Sequence, residues 1–264
     1  MTELTYIRNT MIANFSKCPY GRVYLPLVLG IREPMNSNLF VGGTYHRALA
    51  TNFKQKESSR ADLLVPEVTD AFSDAWERKL ALSEGDDEVG SGVVVWEEPE
   101  GHLKDLGYTL VTEYMLTKAP EIQPRIDGTE ITYEKALTGK YINTYRTRID
   151  IITEEKPLTV IDHKTVKQVA SQNEMDTDLQ ATGHAYALGK GIRWIRSQAH
   201  KTKKKIIDAE TYRSKDDISW YKEKVLLPIV AQIEAGIFPA ITGWWCGSCF
   251  YRQDWCRLPR HFET

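Results

Sequence analysis

The chain has 264 residues, of which 42% are hydrophobic and 27% are charged, and its formal net charge is −2. These values are ordinary for a globular protein with one substantial core. No stretch is apolar over the about 20 residues that a membrane-spanning helix needs, and the N-terminus lacks a signal-peptide pattern. The sequence therefore excludes a transmembrane protein, and we expect a cytoplasmic location with no membrane partner.

The first 125 residues are predicted to be mainly helical. Helices are predicted through about Ser16, from Tyr45 to about Glu57 after Gly42-Gly43-Thr44, and around 67–82. A turn is expected at Pro19, just after Cys18. The acidic run 84–88 is typical of a solvated loop.

From about Thr129 the pattern changes to short β-branched runs separated by turn residues, which indicates strands. Strands are predicted over 130–133, 143–153, 158–164 and 192–200, and helices over about 177–188 and 215–235. This order of elements indicates an α/β domain with helical flanks. Residues 126–213 would form its core, and residues 214–264 would form a C-terminal helix with a cysteine-rich end.

The predicted strand 158–164 carries a carboxylate and an ammonium group on one face. Side chains alternate along a strand, so Asp162 and Lys164 point the same way while His163 points to the opposite side. Asp150 lies among aliphatic residues on the preceding strand, and a turn at Lys156-Pro157 would pair the two strands as a hairpin. Two carboxylates held close together repel each other unless a cation joins them.

This arrangement suits the hydrolysis of phosphodiester bonds. Mg²⁺ or Mn²⁺ binds carboxylate oxygens while keeping water ligands, and it neutralises the charge that builds on a phosphate. Lys164 could orient the attacking water or stabilise the transition state. For an isolated D-x-K motif, however, a surface hairpin with solvated charges is the commoner interpretation.

The four cysteines are unevenly placed, with Cys18 near the start and Cys246, Cys249 and Cys256 near the end. So few cysteines argue against a secreted disulfide scaffold. A C-x2-C followed closely by another cysteine indicates a metal or cluster site, for which Cys18 is the natural fourth ligand. By chemistry alone Zn²⁺ is the commoner occupant, and a 4Fe–4S cluster is the alternative.

Four motifs resemble, in their order, the RecB-like branch of the PD-(D/E)XK nuclease superfamily, which includes the iron–sulfur exonucleases associated with CRISPR loci. The motifs are Gly43-Thr44-Tyr45-His46, Arg148-Ile149-Asp150-Ile151, Asp162-His163-Lys164-Thr165 and Asp178-Leu179-Gln180. The resemblance implies one domain over 1–264 with a restriction-endonuclease-like α/β core, in which helices flank a mixed central sheet. That branch also has one early and three late cysteines, which favours a 4Fe–4S cluster over Zn²⁺. Such a cluster would join the N- and C-terminal helical regions.

The resemblance also implies roles for the matched residues. His46, Asp150 and Asp162 would ligate the divalent metal together with the backbone carbonyl of His163. Lys164 and Gln180 would assist catalysis.

Two further positions are matched less closely. A glutamate usually precedes the first acid in this branch, and Glu130 is the candidate, with Glu134 behind it. His184 stands four residues after Gln180, where the branch has a tyrosine. Its side chain either serves the site or packs as a neutral histidine against the sheet.

The implied function is metal-dependent hydrolysis of DNA, most simply by an exonuclease that acts on single-stranded DNA or on a free end in recombination, repair or CRISPR adaptation. The chain has no P-loop pattern, so unwinding would need a helicase or recombination partner. The alternatives are an endonuclease, the nuclease subunit of a helicase–nuclease complex, or a non-catalytic nucleic-acid-binding protein stabilised by zinc or a cluster. A pure binder has no need for Asp150, Asp162 and Lys164 together.

The basic run 200–205 is a candidate for contact with DNA phosphates, although most such runs are solvated loops. The net charge gives no indication of nucleic-acid binding, but a basic groove can coexist with acidic faces. Trp244, Trp245 and Tyr251 could stack on single-stranded bases. Packing around the cysteine site is the favoured interpretation for these three aromatics.

Overall fold

The computed structural model describes residues 4–81 and 94–256. The acidic run 84–88, predicted to be a solvated loop, and residue 82 at the end of a predicted helix lie outside the described residues. No described helix combines the length and apolar character that crossing a bilayer would require.

The described chain alternates between helical and strand-rich parts. Its strands are β1 (Tyr6–Arg8), β2 (Met35–Asn36), β3 (Val94–Val95), β4 (Pro124–Ala136), β5 (Thr144–Thr153), β6 (Thr159–Val166), β7 (Ile192–His200) and β8 (Lys205–Arg213). Its α-helices are α1 (Asn9–Lys17), α2 (Ser37–Ser59), α3 (Val65–Ala81), α4 (Glu100–Thr117), α5 (Gln172–Asp176), α6 (Leu179–Leu188), α7 (Lys215–Trp220) and α8 (Leu227–Glu234). Three segments, Tyr20–Val28, Tyr221–Leu226 and Arg252–Cys256, are wound with π-helical hydrogen bonds.

A mixed six-stranded sheet lies at the centre of the fold. β4 pairs with one side of β5, while β1 and β6 share the other side, and β7 and β8 continue the sheet from β6. The β1–β5 and β6–β7 pairs are parallel, and the remaining pairs in this sheet are antiparallel. The predicted β5–β6 hairpin and the α/β fold with a mixed central sheet flanked by helices are thus confirmed.

Helices cover both faces of the sheet. Ile161 and Ala199 pack with α2, α3 and α4 on one face. Val160 and Trp194, which have the opposite parity on the same strands, pack with α5 and α6 on the other face. Because side chains alternate along β6, each polar residue of this strand faces one of these two helical layers.

The start of α2 differs from the prediction. Gly42 and Gly43 lie inside the helix, which begins at Ser37 with the side chain of Asn36 accepting the Leu39 N–H at 2.9 Å. An added Cβ at Gly42 would lie 3.2 Å from Oγ1 of Thr165. The glycine therefore permits a close approach of α2 to β6 rather than leading into the helix.

Other predicted boundaries also change. The strand β8, Lys205–Arg213, was not predicted. The break predicted near Pro19 is present, because α1 ends at Lys17 and Cys18 is extended, but the chain then continues in the π-wound segment Tyr20–Val28, which was not predicted. The predicted helix 177–188 is α6, which begins two residues later, at Leu179, because the Asp178 side chain caps it there. The short helix α5 just before it was not predicted.

Candidate metal and catalytic centre

α2 directs one face towards the sheet. His46, Phe53 and Glu57 follow one another at spacings of seven and four residues, which places them on the same side of a helix. The ring of Phe53 stacks on His163 of β6 at 6.0 Å, and Nδ1 of His46 lies 3.3 Å from Oδ2 of Asp150 on β5. The helix predicted from the glycine-led motif therefore does bring its histidine to the first acid.

Asp150 is buried, and two donors meet its carboxylate. Oδ2 accepts the backbone N–H of His163 at 2.8 Å in addition to its contact with His46. Burial alone would raise the pKa of Asp150, but the charge and hydrogen bond of His46 hold it well below its usual range. Burial in turn would lower the pKa of His46, but Asp150 raises it overall. Each group thus favours the charged form of the other.

Asp162, Lys164 and Gln180 form the second part of the site. Oδ1 of Asp162 accepts from Nζ of Lys164 at 3.1 Å and from Nε2 of Gln180 at 2.7 Å. Oδ2 of the same carboxylate is buried and, among the described residues, has no hydrogen-bond partner of good geometry, although Nζ of Lys164 lies 2.8 Å away. Burial would lower the pKa of Lys164, but Asp162 and Asp150 raise it, so the ammonium stays protonated.

The start of α6 sets the position of Gln180. Oδ1 of Asp178 accepts the backbone N–H of Gln180 at 2.6 Å, and Arg196 pairs with the same aspartate. Nδ2 of Asn9 donates to the backbone carbonyl of Gln180 at 3.0 Å. The first turn of α6, and with it the side chain of Gln180, is therefore held from two sides.

His163 contributes more than the backbone carbonyl that the sequence indicated. Its imidazole lies on the face opposite Asp162, where Nε2 and Oη of Tyr114 are 2.8 Å apart. Burial lowers the pKa of His163 to about 3, so the ring is neutral at neutral pH. One ligand atom from each of His46, Asp150 and His163 lies within 4.8 Å of the other two.

Glu130 lies beside this group, whereas Glu134 does not. Thr129 and Ile131 pair with Ile151 and Ile149, so Glu130 between them lies opposite Asp150. Burial and the charge of Asp150 raise the pKa of Glu130, and Arg148 pairs with it at 3.1 Å.

Glu134 lies further along β4. Its carboxylate is exposed and pairs with Arg146 at 2.7 Å.

His184 packs inside the protein. Its Nδ1 accepts from Nε1 of Trp194 at 3.2 Å, and burial lowers its pKa, so the ring is neutral. Its Nε2 is buried with no hydrogen-bond partner in the part of the chain that the structure describes. The sequence left open whether His184 serves the site or packs against the sheet, and this geometry favours packing.

The four cysteines line one pocket. Cys18 follows α1, and Cys246, Cys249 and Cys256 come from the C-terminal segment, so the two ends of the chain meet there. Burial raises the pKa of the Cys256 thiol, and the charges of the other three cysteines raise it further. A positively charged metal group would reverse this effect, because thiolates are the ligand form. The donor set therefore fits a thiolate-bound metal group.

The aromatics near this pocket divide into two kinds. Trp245 and Tyr251 line the pocket with the cysteines, as the packing interpretation predicts. Trp244 does not, because its side chain is 86% exposed. The packing prediction is wrong for Trp244.

The basic run forms the β7–β8 turn. Lys201 is buried and its Nζ donates to Oδ1 of Asn38, at the start of α2, at 2.6 Å. Lys203, Lys204 and Lys205 are exposed. These three are the members of the run that could meet a phosphate backbone.

The donors at the acid site suit a hard divalent cation. His46, Asp150 and His163 bring one carboxylate and two imidazoles within 4.8 Å of one another, and this group does not include Asp162, whose Oδ2 is buried without a partner of good hydrogen-bond geometry among the described residues. Oxygen-rich sets with histidine bind Mg²⁺ or Mn²⁺ well. The arrangement is that of a metal-dependent phosphodiesterase.

Comparison with known proteins defines the family. The model of the PD-(D/E)XK nuclease superfamily matches residues 10–257, and the chain belongs to this superfamily. Membership implies a metal-dependent nuclease, and members use divalent metals such as Mg²⁺ or Mn²⁺. No curated protein matches the chain.

The solved structures that are similar to the chain include a candidate exonuclease and SSO0001. A candidate exonuclease from Eubacterium rectale has 8% sequence identity and a TM-score of 0.52, over 94% of this chain and 88% of that one. SSO0001 has 11% identity and a TM-score of 0.43, over 95% of this chain and 85% of that one. At such low identity the first likeness supports the fold alone, and the second is too distant to support an argument.

Proposed function

We propose that the chain is a divalent-metal-dependent deoxyribonuclease that acts as an exonuclease on single-stranded DNA. The observation that carries the proposal is the contact of Asp162 with both Lys164 and Gln180, next to the His46–Asp150 pair. A nucleic-acid-binding protein without catalysis has no need for Asp150, Asp162 and Lys164 together. The candidate exonuclease of the same fold from Eubacterium rectale is consistent with this choice.

His46, Asp150 and Asp162 would hold Mg²⁺ or Mn²⁺, with the backbone carbonyl of His163 as a further ligand. Bound there, the metal would lower the pKa of a water ligand and neutralise charge on the phosphate. Lys164 keeps its proton and is held by Asp162, so it can orient the attacking water or donate to a phosphate oxygen. Gln180 fixes the rotamer of Asp162 through Oδ1 and leaves Oδ2 for the metal.

The second metal group in the proposal is a 4Fe–4S cluster held by Cys18, Cys246, Cys249 and Cys256. Cys18 comes from the start of the chain and the other three cysteines from its end, and this division, which the iron–sulfur branch shares, favours the cluster over Zn²⁺.

We also propose one nuclease domain over residues 1–264, with a mainly helical part at 1–125, the core at 126–213 and the cysteine-bearing end at 214–264. Lys203, Lys204 and Lys205 would contact DNA phosphates. Thiolates in a cluster suit a reducing compartment, which favours the cytoplasm. Recombination, repair or CRISPR adaptation would provide single-stranded substrates, with a helicase or recombination partner for unwinding.

The activity test compares end-labelled linear and circular DNA, single- and double-stranded, with Mg²⁺ or Mn²⁺. We expect linear single-stranded DNA to be degraded from an end. We expect Lys164→Ala to lower the rate on the order of 100-fold or more. Lys167→Ala is the matched control, because this exposed lysine pairs with Glu97 and should leave the rate unchanged.

The outcomes separate the alternatives. Cleavage of circular DNA would identify an endonuclease, and activity only with an added helicase would indicate a subunit of a larger complex. Binding of DNA with no cleavage in either metal would support a non-catalytic protein. Full activity in Lys164→Ala would contradict the proposed chemistry.

The cluster has its own test, which does not depend on cleavage. Protein purified without oxygen should contain iron and inorganic sulfide and absorb visible light, and Cys246→Ser should lose both. One equivalent of zinc without iron would contradict the cluster and leave the acid site unaffected.

A further inference from the structure

Glu57 of α2 has a carboxylate that is almost fully used by backbone donors. Its Oε1 accepts the N–H groups of Gly128 at 3.1 Å and Thr129 at 2.8 Å, and its Oε2 accepts the N–H of Asp127 at 3.1 Å. The side chain is buried, with Lys54 at the edge of its reach at 3.9 Å. A buried carboxylate that accepts hydrogen bonds from three consecutive backbone N–H groups has a specific structural role, unlike a solvated surface charge.

The segment that Glu57 holds is irregular. The register of β4 against β5 shifts between Pro124 and Thr129. Asp127 and Glu130 have φ values of 51° and 53°, in the left-handed region that residues with a Cβ seldom adopt. Such a segment keeps its shape only when its surroundings hold it. The three hydrogen bonds that Glu57 accepts do so at Asp127, the first strained position, and at the two residues between it and Glu130.

The position of Glu130 depends on this bulge. It comes directly after Thr129, lies opposite Asp150, and is close enough to Asp150 and His46 for their charges to act on it. Glu57 follows His46 by eleven residues, about three turns of the same helix. One rigid helix therefore carries both the histidine of the metal site and the clamp on the strand that presents Glu130.

We propose that Glu57 is a positioning residue of the metal centre: it clamps the β4 bulge so that the carboxylate of Glu130 faces Asp150 and His46 and supports the bound cation. This rests on the proposed metal site. Three backbone N–H groups already bind the oxygens of Glu57, so we assign it no direct contact with the metal. It acts through Glu130, as outer residues that orient metal ligands do.

The test measures Mn²⁺ affinity by calorimetry and by electron paramagnetic resonance, without DNA. Glu57→Gln replaces one acceptor oxygen by an amide donor that faces an N–H, so the bulge should loosen. We expect Mn²⁺ to bind on the order of 10-fold more weakly. Asp62→Asn is the matched control, because this carboxylate holds Asn52 and Lys56 of the same helix and does not contact β4. It should lower the melting temperature but keep the wild-type Mn²⁺ affinity.

A double variant separates positioning from general destabilisation. If Glu57 acts through Glu130, then Glu57→Gln should weaken Mn²⁺ binding no further when Glu130→Gln is already present. Wild-type affinity in Glu57→Gln, or equal losses with and without Glu130, would overturn the proposal. Wild-type protein that fails to bind Mn²⁺ would instead overturn the proposed metal site.

Gly128→Ala perturbs the same segment without changing Glu57. It replaces Glu57→Gln in the test if that variant does not fold. An added Cβ would lie 2.6 Å from the carbonyl oxygen of Ile152, so the bulge must shift while the Glu57 carboxylate stays intact. A loss of Mn²⁺ affinity on the order of 10-fold supports the clamp. Unchanged affinity in Gly128→Ala overturns it.

Discussion

His46 and Asp150 form an ion pair at the centre of the site, with Nδ1 of the histidine 3.3 Å from Oδ2 of the aspartate. The pair comes from two elements, a helix and a strand, that are about a hundred residues apart in the chain. A proton on His46 and a cation would both be stabilised by this carboxylate, so we expect metal binding to displace the proton.

Mn²⁺ affinity should fall at low pH because of this competition. Asp150 raises the pKa of His46, so below that raised pKa each unit of pH should weaken Mn²⁺ binding by roughly 10-fold if one proton is displaced. Calorimetric titrations from pH 5 to 8 would measure the slope. His46→Ala should bind more weakly at pH 8 and show a shallower slope, whereas His102→Ala, at an exposed histidine, should match wild type. A pH-independent wild-type affinity would contradict the proton competition.

Glu130→Gln should stabilise the metal-free protein at pH 7. The folded-state pKa of Glu130 is raised by burial and by Asp150, so the folded state holds its proton more tightly than the unfolded state does. Ionisation therefore costs stability as the pH rises through the window between the two pKa values, and that cost is absent below the unfolded pKa. Thermal melts should show a higher melting temperature for the variant at pH 7 and equal values near pH 4.

With Mn²⁺ at pH 7, wild type should have a higher melting temperature than Glu130→Gln, because the cation needs the carboxylate that the variant lacks. Glu134→Gln is the control, since its exposed carboxylate pairs with Arg146 away from the site. A variant that is less stable than wild type at pH 7 without metal would show that Glu130 contributes stability instead.

Gln180→Ala should lower the cleavage rate by roughly 10- to 100-fold with little change in melting temperature. The variant removes the 2.7 Å hydrogen bond that fixes Asp162, while Lys164 remains against the same carboxylate. Gln172→Ala is the matched control, because this exposed glutamine contacts Asp176 and a backbone carbonyl far from the acids. Equal rates for both variants would exclude a role for Gln180.

His184→Ala should lower the free energy of unfolding by about 2 kcal/mol or more, and leave Mn²⁺ affinity unchanged. It leaves a cavity in the core and removes the acceptor for the buried N–H of Trp194. Urea unfolding and calorimetry on the same samples would measure both quantities. Weakened Mn²⁺ binding without loss of stability would give His184 the functional role that its geometry does not support.

Local patterns were enough to predict much of the fold and part of the site. The two-residue repeat of a strand predicts that Asp162 and Lys164 share a face, and the short turn predicts the β5–β6 hairpin. The structure has both features. Helix boundaries were less predictable, since the glycines of α2 were interpreted as a start signal although they allow close packing against Thr165.

The chain's sequence by itself determined which chemical groups lie together within one element, because periodicity and capping depend on neighbours a few residues apart. Tertiary structure alone decided which groups meet between elements. The imidazole of His163 joins His46, Glu57 reaches three amides of β4, His184 lies under Trp194, and Trp244 stays exposed. Each of these results depends on how helices pack on the sheet, and packing is set by the summed shape and burial of side chains distant in the sequence.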